Sequence, residues 1–449
     1  MPLDTIQPIE IKGFPARMAG DGSKIAIIGT GISGLSAAWA LHSSCEITVF
    51  ERNDRIGGHT NTVMTEMLEG SVPVDTGFIV YNEPNYPNLT ALFEQLGVES
   101  VETEMHFSVS AKDRDIEYAS NGLSGLFADR RNIARPRFLA MVADIMRFYR
   151  QAPVLAESHH DHSIGNFLHR NRYSKAFIND HLLPMAAAIW SCPVDTILDF
   201  PAKSLARFFI NHGLVDLSTP FMWRSVKGGS SSYIAPLTKG FADRIRLNAP
   251  VTSVRRMSQG VEIESNGNKE TFDHVILACD APQSFALLAD LNNQEHAILS
   301  AFQTQPNRAV LHTDPALMPK RRRAWASWNY LSGEARDTDL SVTYWMNRLQ
   351  GLKSDNNYFV SLNPLNEPRP ESLVAEMTYH HPVFDTDAMK AQRRLPSIQG
   401  KDRIWYTGSY FGYGFHEDAL RASVELAERF GVRAPWLSVG DSRAAGGDR

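Results

Sequence analysis

Hydrophobic positions follow three different rhythms along this chain. Lys24-Ile-Ala-Ile-Ile28 is a short apolar run suited to a buried parallel strand, and Glu46 to Phe50 reads as a second one. Between them, roughly Ser33 to His42 fits a helix. Phe138-Leu-Ala-Met-Val-Ala-Asp-Ile-Met-Arg-Phe-Tyr149 places apolar residues at helical spacing. Leu340-Ser-Val-Thr-Tyr-Trp-Met and Tyr358-Phe-Val-Ser-Leu alternate with period two, which predicts strands. Pro364 to Pro370 is a proline-rich turn region. No internal repeat is evident.

The first strand, turn and helix carry chemistry. Gly29 and Gly31 permit a tight turn and let backbone N–H groups approach a pyrophosphate, while Gly34 lets the helix pack closely on the strand. The helix N-terminus at Ile32 and Ser33 offers N–H donors and a partial positive charge to phosphates. Glu51, followed by Arg52, ends the second strand where an acid can accept hydrogen bonds from ribose hydroxyls. A glycine triplet alone is weak evidence. Strand before, helix after and an acid at this spacing make it a dinucleotide fingerprint.

Which dinucleotide is indicated by resemblance. Arg55-Ile-Gly57-Gly58-His59-Thr60 resembles the RxGGxxx[ST] extension of flavoproteins, and Val74-Asp75-Thr76-Gly77-Phe78 resembles the segment that follows it. Far downstream, Gly408-Ser409-Tyr410 leads to Gly414-Phe415-His416-Glu417-Asp-Ala419, which resembles the closing G-Y-x-E-G-A pattern of the flavin amine oxidases, with Gly414, Phe415, Glu417 and Ala419 in the corresponding places. Ala249-Pro-Val251 and Phe272 to Ala278 resemble that family's adenine-contacting strand and a later strand that passes the cofactor. The four pieces occur in family order. The resemblance implies an α/β chain, α+β overall. It has a Rossmann-like FAD-binding domain of the glutathione-reductase type, with an interleaved helix-and-sheet substrate domain, amine-oxidase-like. It implies FAD, bound non-covalently because no cysteine precedes the closing glycine.

The chain also departs from that family. No acid follows Gly408, the loop to Gly414 is shorter, His59 replaces an arginine, and Phe415 replaces a tyrosine of the aromatic pair that flanks an amine. These departures put amine oxidation in doubt, not FAD. Leu183 to Ser191, Trp223 to Ser230, Trp325 to Tyr330 and Tyr413 to Glu417 resemble bacterial flavoproteins related to the N-terminal module of plant cyclopropane fatty acid synthases. That branch implies work on unsaturated, methyl-branched, cyclopropane or furan acyl chains.

Length and composition agree with this picture. At 449 residues the chain suits two domains, and 43% hydrophobic with 21% charged residues is globular. The expected division is an FAD domain of residues 23–105, 232–300 and 396–432, and a substrate domain of 106–231 and 301–395. Residues 1–22 and 439–449 are expected to be loose ends. A net charge of −5 argues against a nucleic-acid partner. Cys45, Cys192 and Cys279 are too few and scattered for a disulfide framework or zinc site, which points to a reducing compartment. Residues 1–23 have no apolar core of a signal peptide, and no apolar run approaches a spanning length. The expected location is cytoplasmic, with peripheral contact at the inner membrane left open.

Several constellations carry both a functional and a plain reading. His159-His160-Asp161-His162 lacks the i, i+4 facing of a helical metal site, so no metal is expected. Arg130, Arg131, Arg135, Arg137, Arg147 and Arg150, with Lys320 to Arg323, could hold lipid headgroups or form a solvated basic face. Trp190, Trp223, Trp325, Trp328, Tyr330, Tyr344 and Trp345 could wall an apolar tunnel or be ordinary core. His416 is the first candidate for a proton acceptor, because the resemblance puts it beside the flavin and imidazole titrates near neutral pH. Its alternative is a backbone contact only. Tyr410 and Tyr81 are weaker candidates, and Glu417 suits a helix start or cofactor contact better than a base. No second nucleotide fingerprint is present, so oxygen, a quinone or another protein remain as electron acceptors. The substrate expected is an apolar or lipid small molecule.

Overall fold

The computed structural model describes residues 22–67, 70–158, 162–190, 197–211, 213–215, 222–333 and 340–436. His159, His160, Asp161, Cys192 and the expected loose ends up to residue 21 and after residue 436 lie outside the described residues. The chain divides into two compact units. One runs to Ile56, resumes at Leu237–Ser300 and again from Lys390; the other comprises Gly57–Pro236 and Ala301–Met389. Residues 57–105 therefore group with the second unit.

The first unit is built on a five-stranded parallel sheet in the order Ile245–Arg246, Glu46–Phe50, Lys24–Ile28, His274–Leu277, Ile404–Tyr406. The central run of Ile25, Ala26 and Ile27 is fully buried, as a two-sided apolar strand requires. Helix Ile32–Leu41 follows it and packs beside helix His416–Arg429. A three-stranded antiparallel sheet, Val251–Met257, Gly260–Ser265 and Asn268–Phe272, completes this unit's strands among the described residues.

The second unit centres on a seven-stranded sheet. Its order is Leu373–Val383, Gln303–His312, Phe359–Leu362, Leu340–Trp345, Trp328–Ser332, Phe107–Ala111, Ile116–Ala119. All neighbours are antiparallel except Trp328–Ser332 with Phe107–Ala111. The alternating segments at 340–345 and 359–362 are thus adjacent strands. The helix expected over 138–149 extends over Pro136–Ala156. Arg150, Gln151 and Pro153 interrupt the apolar pattern, but Ala152, Leu155 and Ala156 are buried and carry the helix two further turns. Phe148 anchors it through ring contacts with Phe177 and Phe209, at 5.5 and 6.3 Å between centroids.

The aromatic residues singled out in the sequence do not form one row. Trp325 packs with Trp345, Phe359 and Met318, whereas Trp328 meets Tyr344 and Phe107. Trp223 belongs to a separate small sheet with Val80–Asn82 and Ser100–Thr103. The side chain of Trp190 lies outside the described residues. No helix among the described residues is long and apolar enough to cross a membrane.

Candidate cofactor site

In the first unit the glycine turn is closed by backbone contacts. Gly29 has φ +108°, and a Cβ there would sit 2.9 Å from the Ala278 carbonyl oxygen. A Cβ at Gly34 would lie 1.9 Å from the Gly29 carbonyl oxygen and 3.2 Å from the Ala278 methyl. Ala278 therefore sits against both glycines. Gly31 behaves differently: it is extended at φ −65°, and nothing lies within 4 Å of its Cβ position. It is the N-cap of helix Ile32–Leu41, and no side chain caps that end. An open space before an uncapped helix N-terminus suits a pyrophosphate.

Glu51 is 6% exposed and its carboxylate is pinned from both sides. Oε2 accepts from the Thr30 N–H and hydroxyl, and Oε1 accepts from the Asn53 N–H at 2.9 Å and side-chain amide at 2.8 Å. A ribose hydroxyl reaching this carboxylate displaces one of these donors, and the Asn53 side chain is the one free to rotate. Ala249 N–H donates to the Glu51 carbonyl at 2.8 Å, which brings the Val251 segment beside the acid. Arg52 is exposed and Arg55 half-buried.

The closing segment comes to the same sheet. Ile404–Tyr406 pairs with His274–Leu277, and the chain then turns through Gly408, where a Cβ would lie 2.5 Å from the Tyr410 ring. Gln392 Nε2 holds the following loop by donating to the Tyr410 and Gly412 carbonyls at 2.9 and 2.7 Å, and Ser409 O accepts from Gly412 and Gly414 N–H. Asp418 accepts from the Tyr413 and Phe415 N–H groups at 2.9 and 3.1 Å, fixing the start of helix His416–Arg429. His416 is the half-buried first residue of that helix, and Glu417 is buried. Tyr410 is buried, and burial holds its phenol well above the ordinary value, so it is protonated throughout the neutral range. Ser423 Oγ donates to the Ser33 carbonyl at 2.8 Å and shares a hydrogen bond with Thr407.

The second glycine segment belongs to the second unit. Thr60 N–H donates to the Gly57 carbonyl at 2.9 Å across a tight turn in which Gly57 and Gly58 both have positive φ. Gly77 lies against it, since a Cβ there would be 2.1 Å from the His59 carbonyl oxygen, which accepts from Phe78 N–H at 2.8 Å. Thr76 N–H donates to Asn61 O at 2.9 Å. Asp75 is fully buried and accepts from Ser230 N–H and Oγ, Gln350 Nε2 and Thr62 Oγ1; burial nonetheless pushes its carboxyl up to about 6. Tyr81 is placed in packing with Tyr86 and Phe93, and its hydroxyl donates to Ser100 Oγ at 3.0 Å.

Residues that the sequence did not single out hold these pieces. In the first unit they are Thr30, Asn53, Gln392, Asp418 and Ser423. In the second, the His59 ring stacks on Tyr379 at 5.0 Å and lies 5.6 Å from His381. Tyr379 bonds Thr76 Oγ1 at 2.8 Å and accepts from Asn61 Nδ2 at 3.0 Å. Burial, with the neighbouring His59 and His380, lowers His381 to about 3, so it stays neutral. Tyr379 and His381 share one face because they are two apart on strand Leu373–Val383. That spacing is visible in the sequence; their meeting with His59, some three hundred residues away, is not.

Comparison with known proteins gives consistent answers. Residues 32–345 match the family model for flavin containing amine oxidoreductase. The flavin-containing amine oxidase A of Bos taurus is 24% identical over 287 residues, covering 57% of this chain and 49% of that protein. The chain thus matches about half the length of that curated relative, and less of others. Among solved structures, cyclohexylamine oxidase from Brevibacterium oxydans superposes with TM-score 0.66 at 14% identity, covering 91% of this chain and 100% of that one. A CLA-producing fatty acid isomerase from P. acnes superposes with TM-score 0.64 at 16% identity, covering 92% of this chain and 100% of that one. At such identities the structural likeness speaks for the fold.

Proposed function

This chain belongs to the family of flavin-containing amine oxidoreductases, and from that premise we infer that it is an FAD-dependent oxidoreductase that dehydrogenates an apolar substrate, a modified fatty acyl chain of a phospholipid. The observation that carries the reading is Phe415, which stands at the N-cap of helix His416–Arg429. It is an aromatic without a hydroxyl where the amine-oxidising pattern has a tyrosine. That change favours an apolar C–H over an amine at this place. The P. acnes isomerase adds that a fold of this kind can serve a fatty acid.

Bound FAD supplies a hydride acceptor at its N5. The chain's residues divide the remaining work. Gly29, Gly31 and the uncapped helix N-terminus at Ile32–Gly34 offer N–H groups to the pyrophosphate, and Glu51 accepts from the ribose. In the second unit, Gly57 to Thr60 and Thr76 to Phe78 form a second glycine-lined backbone stretch of the kind that flavoproteins use toward FAD. The N–H groups at His416 and Glu417 stand at the positive end of their helix, where negative charge is stabilised. The His416 imidazole accepts the proton that leaves with the hydride. Tyr410, kept protonated by burial, packs and does not act as a base.

Anaerobic mixing separates this reading from amine oxidation. Branched or unsaturated phospholipids are expected to bleach the flavin absorption band; bleaching by amines alone would overturn the proposal. A second reading, isomerisation of an unsaturated fatty acid, is favoured by the isomerase's likeness. It leaves no electrons to dispose of, so multiple turnovers without any acceptor would select it over net oxidation.

A further inference from the structure

Helix Pro136–Ala156 is apolar on two faces. Its inner face buries Phe138, Met141, Phe148, Ala152, Leu155 and Ala156. Its outer face leaves Leu139, Met146 and Val154 exposed at 45%, 41% and 75%, with Ala140, Ala143 and Pro153 also exposed between them. A surface helix ordinarily carries polar side chains there. Just upstream, Leu123 and Ile133 are exposed at 75% and 59%. Five of the eleven large hydrophobics exposed among the described residues thus fall within residues 123–154. Scattered exposed hydrophobics need no explanation, but a concentration of them marks a contact surface.

The charges around this stripe identify the contact. Arg131 and Arg135 are taken up by Asp115 and Asp129, Arg137 by Asp180, and Arg147 by Asp144. Asp144 is the helix's own carboxylate, and it turns inward, 14% exposed, to accept from Ser174 N–H at 2.7 Å. Arg130 and Arg150 are exposed and form no ion pair among the described residues. Arg150 donates to Met146 O at 3.1 Å, so its head stays beside the stripe. At the far end, exposed Arg207 donates to Ala156 O at 3.1 Å, next to exposed Glu157 at the helix C-cap. Apolar side chains interleaved with unpaired arginines match a bilayer interface, where the former sink among acyl chains and the latter meet lipid phosphates. A protein partner is a poorer match. Leu139 to Val154 spans about 22 Å at 1.5 Å per residue and is one side chain wide, far short of the roughly 800 Å² per partner of a stable interface.

We propose that the outer face of helix Pro136–Ala156, with Leu123, Ile133, Arg130 and Arg150, docks this protein onto an anionic lipid bilayer, the helix lying in the plane of the interface. The surface stands on these residues and not on the substrate assigned above, because vesicle binding needs no turnover.

The test is co-sedimentation of the flavin-loaded protein with phosphatidylcholine vesicles, with and without phosphatidylglycerol, at low and high salt. The wild type is expected to bind the anionic vesicles and to release on raising the salt. R130Q/R150Q should bind roughly 30-fold more weakly, the product of two lost attractions to an anionic surface. L139E/M146E should not bind, while both variants keep wild-type flavin absorption and melting temperature because the altered side chains are exposed. A wild type that ignores anionic vesicles, or an L139E/M146E variant that binds as well as wild type, overturns the proposal. So does a wild-type dimer, indifferent to vesicles, that L139E/M146E disperses to monomers.

Discussion

Ser423 and Ser33, 390 positions apart, are joined by a hydrogen bond of 2.8 Å from the Ser423 hydroxyl to the Ser33 carbonyl. Ser33 lies in the first turn of the helix that follows the glycine turn, and Ser423 lies two turns into the closing helix. The bond sets one helix against the other. Thr407, from the strand before the closing loop, completes the link through its hydroxyl at 2.8 Å. Replacing Ser423 by Ala leaves the Thr407 hydroxyl short of a partner in a buried place and unties the closing helix from the Ser33 carbonyl, which keeps the Ser36 hydroxyl at 3.1 Å. S423A is expected to cost about 1–3 kcal/mol and to release flavin at a lower temperature. Flavin fluorescence and circular dichroism melts should both move; unchanged melts would show that the bridge is incidental.

Gly31 and Gly34 separate cofactor binding from folding. At Gly34 a Cβ meets backbone at 1.9 Å, so G34A should damage both fold and flavin content. At Gly31 the dihedrals suit alanine and the space is open, so G31A should melt like wild-type apoprotein. It should nevertheless bind FAD at least about tenfold more weakly, a loss of ~1.4 kcal/mol. Full flavin content in G31A would remove the pyrophosphate from this turn.

Glu51 makes a paired prediction with Asn53. E51A strands the Thr30 and Asn53 N–H donors and removes the ribose acceptor, so flavin content should fall with about 1–3 kcal/mol of stability. N53A removes only the donor that competes with a ribose hydroxyl. It should bind FAD as well as wild type. Equal losses in the two variants would mean that the loop's shape matters and the carboxylate does not.

Asp75 confers a pH dependence on stability. Burial raises its carboxyl from 3.8 to about 6 in the folded protein, so the native state keeps a proton that the unfolded chain releases. This group's contribution therefore declines as pH rises between those two values and is level above them. The size is about 3 kcal/mol, from about two pH units at ~1.4 kcal/mol each. D75N has no proton to release. Its stability relative to wild type should shift by about that amount in the variant's favour across the window, measured by urea unfolding on either side of it. Parallel stabilities would refute the shift.

His416 is tested by a change that spares its backbone. H416Q should retain FAD, since the helix start is held by Asp418. If the imidazole accepts the proton, flavin reduction by substrate should slow by roughly 10²–10⁴-fold and lose its pH-dependent limb. Stopped-flow rates equal to wild type would leave only a backbone role.

The parts legible in the sequence were those whose physics is local. Residues 24–50 disclose a strand, turn, helix and strand because two apolar runs flank glycines at fixed offsets, and they fold as expected to within a residue. The alternation at 340–345 and 359–362 likewise becomes strands. The arginines of residues 130–150 looked like one basic group. Four of them are neutralised by Asp115, Asp129, Asp180 and Asp144, partners drawn largely from other elements. Nothing in a linear pattern distinguishes Arg150, which has no ion pair among the described residues, from Arg147, which pairs with Asp144.

The amino-acid order alone determined the strand, glycine turn and helix of residues 24–41, because they rest on residue types at short, fixed spacings, and it carried the resemblance that implies the family and the FAD cofactor. Tertiary structure alone decided that Thr30 and Asn53 pin Glu51, that Tyr379 and His381 stack around His59, and that Ser423 reaches Ser33. Those contacts depend on where distant strands and helices come to rest. It also decided that Leu139 and Met146 face outward while Met141 and Phe148 face in. An apolar residue carries no mark of which side its neighbours will cover, and only packing of the whole unit fills one side and leaves the other to solvent or lipid.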